Sequence, residues 1–99
     1  MAMFVVLGKF TDEGAKDIRN LRATMEKTTA GGERLGVRTH GWYLTQGRYD
    51  FVIVVEAPDA ETVLAGSVAA AAMGNGHSET LRAFTIDEME QAIGKLGAA

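Results

Sequence analysis

Cysteine is absent from this 99-residue chain. That excludes a disulfide scaffold, a thiol nucleophile, a thiolate zinc site and a cysteine-ligated iron–sulfur cluster. Basic charge is also in short supply: ten Lys and Arg against thirteen Asp and Glu leave a net charge of −3. This balance lacks the electrostatic footprint of a general nucleic-acid binder. No apolar run is long enough to span a bilayer. The opening residues, Met1 to Leu7, are apolar but have no basic start, and no small-residue cleavage site precedes Lys9. They therefore read as a strand and not as a leader. The remaining composition, 46% hydrophobic and 23% charged, is that of an ordinary soluble globule. Its length suits a single domain over residues 1–99. The expectation is a cytoplasmic protein that uses no cofactor and no metal.

The chain divides into six elements and a short final helix. Met3 to Lys9 is apolar and β-branched, a strand. Thr11-Asp12-Glu13 then supplies a capping oxygen and early acids. One helix is expected from there, with Ile18, Leu21, Met25, Thr28, Gly32 and Leu35 at helical spacing. Gly31-Gly32 costs roughly 2 kcal/mol against alanine, so a break or a close approach is expected there. Val37–Thr45 and Arg48–Glu56 read as strands joined by a two-residue turn at Gln46-Gly47. Pro58 stops the second of these. Asp59 caps a helix whose last turns, Ala69 to Ala72, are small enough for close packing, and Gly74-Asn75-Gly76 ends it. His77–Thr85 reads as the last strand. Thr85 to Glu88 forms a capping box for a helix with Ile86, Met89, Ile93 and Leu96 on one stripe, and Gly97 to Ala99 is expected to fray.

The order βαββαβ with an added helix is the ferredoxin-like arrangement, an α+β fold on a four-stranded antiparallel sheet. In that topology the first and third strands are central. The continuously apolar runs Phe4–Leu7 and Phe51–Val55 suit those places, and the mixed second and fourth strands suit the edges. A two-residue turn would set Trp42 opposite Phe51 and His40 opposite Ile53. One face would then carry His40, Trp42, Leu44, Tyr49, Phe51, Ile53 and Val55. The other would carry Thr39, Tyr43, Asp50, Val52, Val54 and Glu56. Two helices cover only one face of such a sheet, so an apolar face is left bare. A second subunit, the C-terminal helix or a bound ligand are the three ways to cover it.

Gly47-Arg48-Tyr49-Asp50-Phe51-Val52 partly matches the aromatic strand motif of RNA-recognition domains, with Tyr49, Phe51 and Phe4 as stacking rings. The basic–glycine pair is inverted, Asp50 stands at a small-residue position, and Val54 replaces the last aromatic. The stretch GRYDFVIVVEAPD (47–59) taken with GNGHSETLRAFT (74–85) resembles the GYD domain family more closely. The motif residues are Gly47, Tyr49 and Asp50, with Arg48 between them. The resemblance runs from the first strand to the last and departs at Gly76-His77-Ser78, where the family has Val-Arg-Thr. It implies a ferredoxin-like fold of the dimeric α/β-barrel kind and carries no general activity with it.

The candidate site residues follow from side-chain chemistry. His40 beside Trp42 is an acid or base poised near neutral pH. Tyr49 and Asp50 close the hairpin, and Asp50 is expected to accept bonds from turn amides or from Tyr43. Arg82 needs a carboxylate, for which Glu56 or Glu79 are candidates, or an anionic ligand. Thus His40, Tyr49 and Asp50 are the catalytic candidates, and Trp42, Glu56 and Arg82 the ligand-binding ones. Three functional readings stand. The first is a metal-free small-molecule pocket between sheet and helices, serving either an enzyme or a sensor of a hydrophobic acidic ligand. The second is a structural or oligomerisation module. The third is single-stranded RNA binding through Tyr49 and Phe51. The expected partner is a second copy in a homodimer, with higher assembly left open.

Overall fold

A computed structural model describes residues 1–74 and 76–97. Its order is β1 (Ala2–Phe10), α1 (Asp12–Lys16), a 3₁₀ turn (Ile18–Asn20), α2 (Leu21–Arg34), β2 (Arg38–Leu44), β3 (Phe51–Ala57), α3 (Ala60–Ala72), β4 (Gly76–Ala83) and α4 (Ile86–Gly94). The four strands form one antiparallel sheet in the order β2-β3-β1-β4. The fold is α+β and ferredoxin-like, with the two most apolar strands at the centre.

Local chemistry sets most boundaries. The Thr11 hydroxyl accepts from Gly14 N at 3.1 Å and donates to Gly74 O at 2.7 Å, so one side chain caps α1 and ties it to the turn after α3. Asp59 accepts from both the amide and the hydroxyl of Thr62, at 2.8 and 2.7 Å, and starts α3. Thr85 and Glu88 form the reciprocal capping box of α4. Gly74 closes α3 with φ +77°, which a side chain would resist. Asn75, Ala98 and Ala99, which belong to the expected turn and tail, lie outside the described residues.

Three expectations are corrected. The expected first helix is two, because Asp17 interrupts it and a 3₁₀ turn intervenes before Leu21. Conversely, α2 continues through Gly31 and Gly32 to Arg34; a Cβ on Gly32 would stand 3.5 Å from Val37 Cβ, an ordinary contact. The β2–β3 connection is not a two-residue turn. It runs from Thr45 to Asp50, closed by Thr45 N donating to Asp50 O at 2.8 Å. Trp42 therefore pairs with Ile53 and Leu44 with Phe51.

The core lies on the helix side of the sheet. Phe4, Val55, Ala57 and Val63 form its buried centre, and Phe51 is buried beside them. Alternation along the strands places Val5, Leu7, Val52, Val54 and Leu81 on the opposite face. Neither α2 nor α3 covers that face, and among the described residues α4 makes no extensive contact with the sheet. The C-terminal helix does not cover the bare face within one chain. With α4 projecting, the radius of gyration is 15.4 Å, against about 13 Å for a compact chain of this length. Among the described residues no helix is long and apolar enough to cross a membrane.

Candidate functional site

The six candidate side chains do not converge; the fold distributes them among four places. Trp42 lies on the helix side, its ring stacked on Phe51 at 5.2 Å with 27° between planes. Phe10 meets the other side of Phe51 at 5.2 Å and 39°. This aromatic row floors a cleft of about 550 Å³ beneath α2 and α3, a volume within the range of small-molecule sites. Thr24, Thr28 and Ser67 line it from the helices, and Ser78 and His77 from β4. Among the described lining residues there is no Lys, Arg, Asp or Glu. His77 is the one ionisable side chain among those lining residues.

His40 is not on the aromatic face. The β2–β3 register shifts between Thr39 and Gly41, and this bulge turns the imidazole to the bare face. There His40 Nε2 meets Glu56 Oε1 at 2.5 Å. The pair sits at the edge of the sheet, away from Trp42. A glycine in a strand is the signal that marks such a bulge, and Gly41 supplies it.

Tyr49 and Asp50 act together as a clamp. The Asp50 amide donates to Gly8 O at 2.7 Å, and its carboxylate accepts from Phe10 N at 2.9 Å. That amide is the partner Asp50 takes, instead of Tyr43. Tyr49 donates its hydroxyl to Glu79 Oε2 at 2.7 Å, reaching β4. Glu79 holds the Tyr49 phenol above its ordinary value, chiefly through this hydrogen bond, since the charged carboxylate favours the protonated hydroxyl. The Thr45 hydroxyl donates to Tyr49 O at 2.7 Å, and Gly47 takes φ +113° within the loop. The motif thus fastens the hairpin loop to two neighbouring strands. Its length left this arrangement hidden: a six-residue connection has no period to reveal it.

Arg82 stands at the far end of the sheet. Its guanidinium lies 4.2 Å from the Phe84 ring centroid and 5.6 Å from that of Phe4. It donates to Met3 O at 3.2 Å and to Ala83 O. Its carboxylate partner is Glu88 of α4, at 3.6 Å, and neither Glu56 nor Glu79. Bonding to the Thr85 amide holds the Glu88 carboxyl below its ordinary value, and Arg82 adds to the effect. Phe51 and Phe4 are buried beneath the helices, and Tyr49 is engaged with Glu79. The expected base-stacking platform is therefore not formed. Among the described residues no three His, Asp or Glu gather closely enough to hold a metal.

The hairpin clamp coincides with the Gly47, Tyr49 and Asp50 motif, and the family model of the GYD domain matches residues 4–93. The chain belongs to the GYD domain family. A relative from Thermus thermophilus, named glutamine synthetase and cystathionine beta-lyase binding protein, is 36% identical over 90 residues. The match covers 90% of this chain and 95% of the relative. No solved structure matches significantly. In this GYD domain the motif residues hold strands together, and the cleft lies elsewhere, under the helices.

Proposed function

We propose that this chain is a cytoplasmic, self-assembling protein-binding domain that carries out no chemistry of its own. The observation behind this reading is the bare sheet face. Val5, Leu7, Val52 and Val54, all part-buried, join the exposed Leu81 in a contiguous apolar surface on that face. Such a face is suited to an isologous contact, in which the same patch serves both copies. The relative's name supports binding to other proteins as the wider role. The scattering of His40, Tyr49, Asp50 and Arg82 gives no nucleophile–base–orienter set. Purified glutamine synthetase and cystathionine beta-lyase, presented to the immobilised chain, test the role directly. Retention of either enzyme by the wild type, weakened in Val54→Asp, is expected. Retention of neither would remove the relative's role from this chain.

A second reading is favoured by the cleft. Its aromatic floor and hydroxyl-bearing walls, with no Lys, Arg, Asp or Glu among the described lining residues, suit a flat, largely apolar molecule. A thermal-shift screen with neutral and acidic aromatics, run with Trp42→Ala beside the wild type, checks it. Neutral ligands are expected to stabilise the wild type only. A shift of equal size in both proteins would move the ligand out of the cleft.

A further inference from the structure

The helix faces turned toward the sheet are not built as core faces. On α2 the inward row is Leu21, Thr24, Thr28 and Gly32, at steps of three and four. On α3 it is Val63, Gly66, Ser67 and Ala70. Such rows ordinarily carry large apolar side chains that fill the space above a sheet. Here only Leu21 and Val63 do so, and hydroxyl-bearing residues, glycines and an alanine hold the other positions. The cleft of about 550 Å³ is the space that these small side chains leave.

The hydroxyls in that space are unengaged. Elsewhere Thr11, Thr45, Thr62 and Thr85 use theirs in helix caps and in the hairpin loop. Thr24, Thr28 and Ser67 are half-buried, yet among the described residues their hydroxyls have no hydrogen-bond partner, and neither has the Trp42 indole N–H. None of these four polar atoms is sealed from solvent, so each is open to a guest molecule. An indole N–H only donates, whereas a hydroxyl donates or accepts. A guest atom that accepts therefore satisfies either kind, and one that only donates leaves the indole unpaired.

Resting on the second reading above, that the cleft takes a flat, largely apolar molecule, we propose that this molecule is an aromatic compound bearing an uncharged hydrogen-bond acceptor, a ring nitrogen or a carbonyl, recognised by donors drawn from Thr24, Thr28, Ser67 and the Trp42 indole. Phe10, Phe51 and Trp42, with successive ring centres 5.2 Å apart, offer its rings an aromatic floor. The lining disfavours a charged group at that depth. Among the described lining residues there is no Lys or Arg. Register gives the cleft Ser78, opposite Gly8, and leaves His77, opposite Lys9, at its margin. A carboxylate carried in beneath the helices would lose its water with no cation beside it. A ring nitrogen or carbonyl needs only the donors already there.

Naphthalene and quinoline share a shape and differ by one ring nitrogen, an acceptor, so equilibrium dialysis of each against the whole chain isolates the polar contact. Two variants remove donors and keep side-chain shape: the triple change Thr24→Val, Thr28→Val and Ser67→Ala, and the single change Trp42→Phe. At least one of them is expected to weaken quinoline binding roughly three- to ten-fold while naphthalene binding changes little. Retained naphthalene binding also shows that the cleft is intact; where the triple variant loses it, Trp42→Phe decides. Both probes held by the wild type and weakened alike in the variants would overturn the acceptor and leave the second reading standing. Neither probe held by the wild type, or both held undiminished by Trp42→Ala, would overturn the two together. The charged counterpart, 2-naphthoate, is expected not to bind. Binding of 2-naphthoate that His77→Ala abolishes would overturn the uncharged class in favour of an anion.

Discussion

Gly8 lies in the middle of β1, and its substitution tests the packing of the aromatic floor. A Cβ built on Gly8 would stand 2.0 Å from Phe51 Cζ and 2.2 Å from Cε2. No side chain fits there while the Phe51 ring keeps its place. The ring is boxed in, stacked on Trp42 on one side and tilted against Phe10 on the other. Two opposing effects follow for Gly8→Ala. Removing glycine from a strand interior favours folding by roughly 0.5–1 kcal/mol. Forcing a methyl group into occupied space costs about 1–3 kcal/mol. The clash is the larger effect, so a net loss of about 1–2 kcal/mol is expected. For a domain of this size that lowers the melting midpoint by roughly 4–8 °C per kcal/mol. Urea unfolding at fixed protein concentration measures it, because assembly would otherwise contribute. A double-mutant cycle with Phe51→Leu isolates the cause. The smaller side chain makes room for the methyl group, so the double variant should lose less than the sum of the two single variants by about 1 kcal/mol. Gly8→Ala as stable as the wild type, or strictly additive with Phe51→Leu, would refute the packing argument.

Other expectations concern the clamp and the caps. Tyr49 should ionise above the ordinary value near 10 in an ultraviolet titration. Because the folded-state value is raised, the Tyr49–Glu79 bond supports the fold at lower pH and is lost as pH rises through that value. Glu79→Gln should bring the Tyr49 titration down, and an unmoved curve would contradict the bond. Asp59 and Glu88 have lowered folded-state values, from the Thr62 hydroxyl and the Thr85 amide respectively. Their contributions are therefore complete above the ordinary carboxylate range and vanish as pH falls through the folded values. A far-UV acid titration should show helix loss that Asp59→Asn and Glu88→Gln make less pH-dependent. Thr85→Ala should cost roughly 0.5–2 kcal/mol through the α4 cap, read by urea unfolding.

Much of this architecture is visible in the residues themselves. The apolar runs Phe4–Leu7 and Phe51–Val55, the Asp59 cap and the Thr85–Glu88 box all depend on residue type or on neighbours three residues apart. Such properties survive without knowledge of the rest of the chain. The family, too, is legible in the hairpin and the last strand. The candidate site was not. Both faces of β3 are apolar, so alternation alone carried no preference for which one the helices would take. Packing decided it by seating Phe51 over Gly8 and beside Trp42. The bulge at Gly41 reversed the side of His40, since one inserted residue inverts alternation beyond it. Arg82 found Glu88 because the angle at which α4 leaves β4 brings them together, and sequence spacing gives no such angle. Local patterns therefore determined the elements and their ends. The tertiary structure alone determined which chemistry-bearing side chains meet, because a meeting depends on register, on face and on the direction in which one element leaves another.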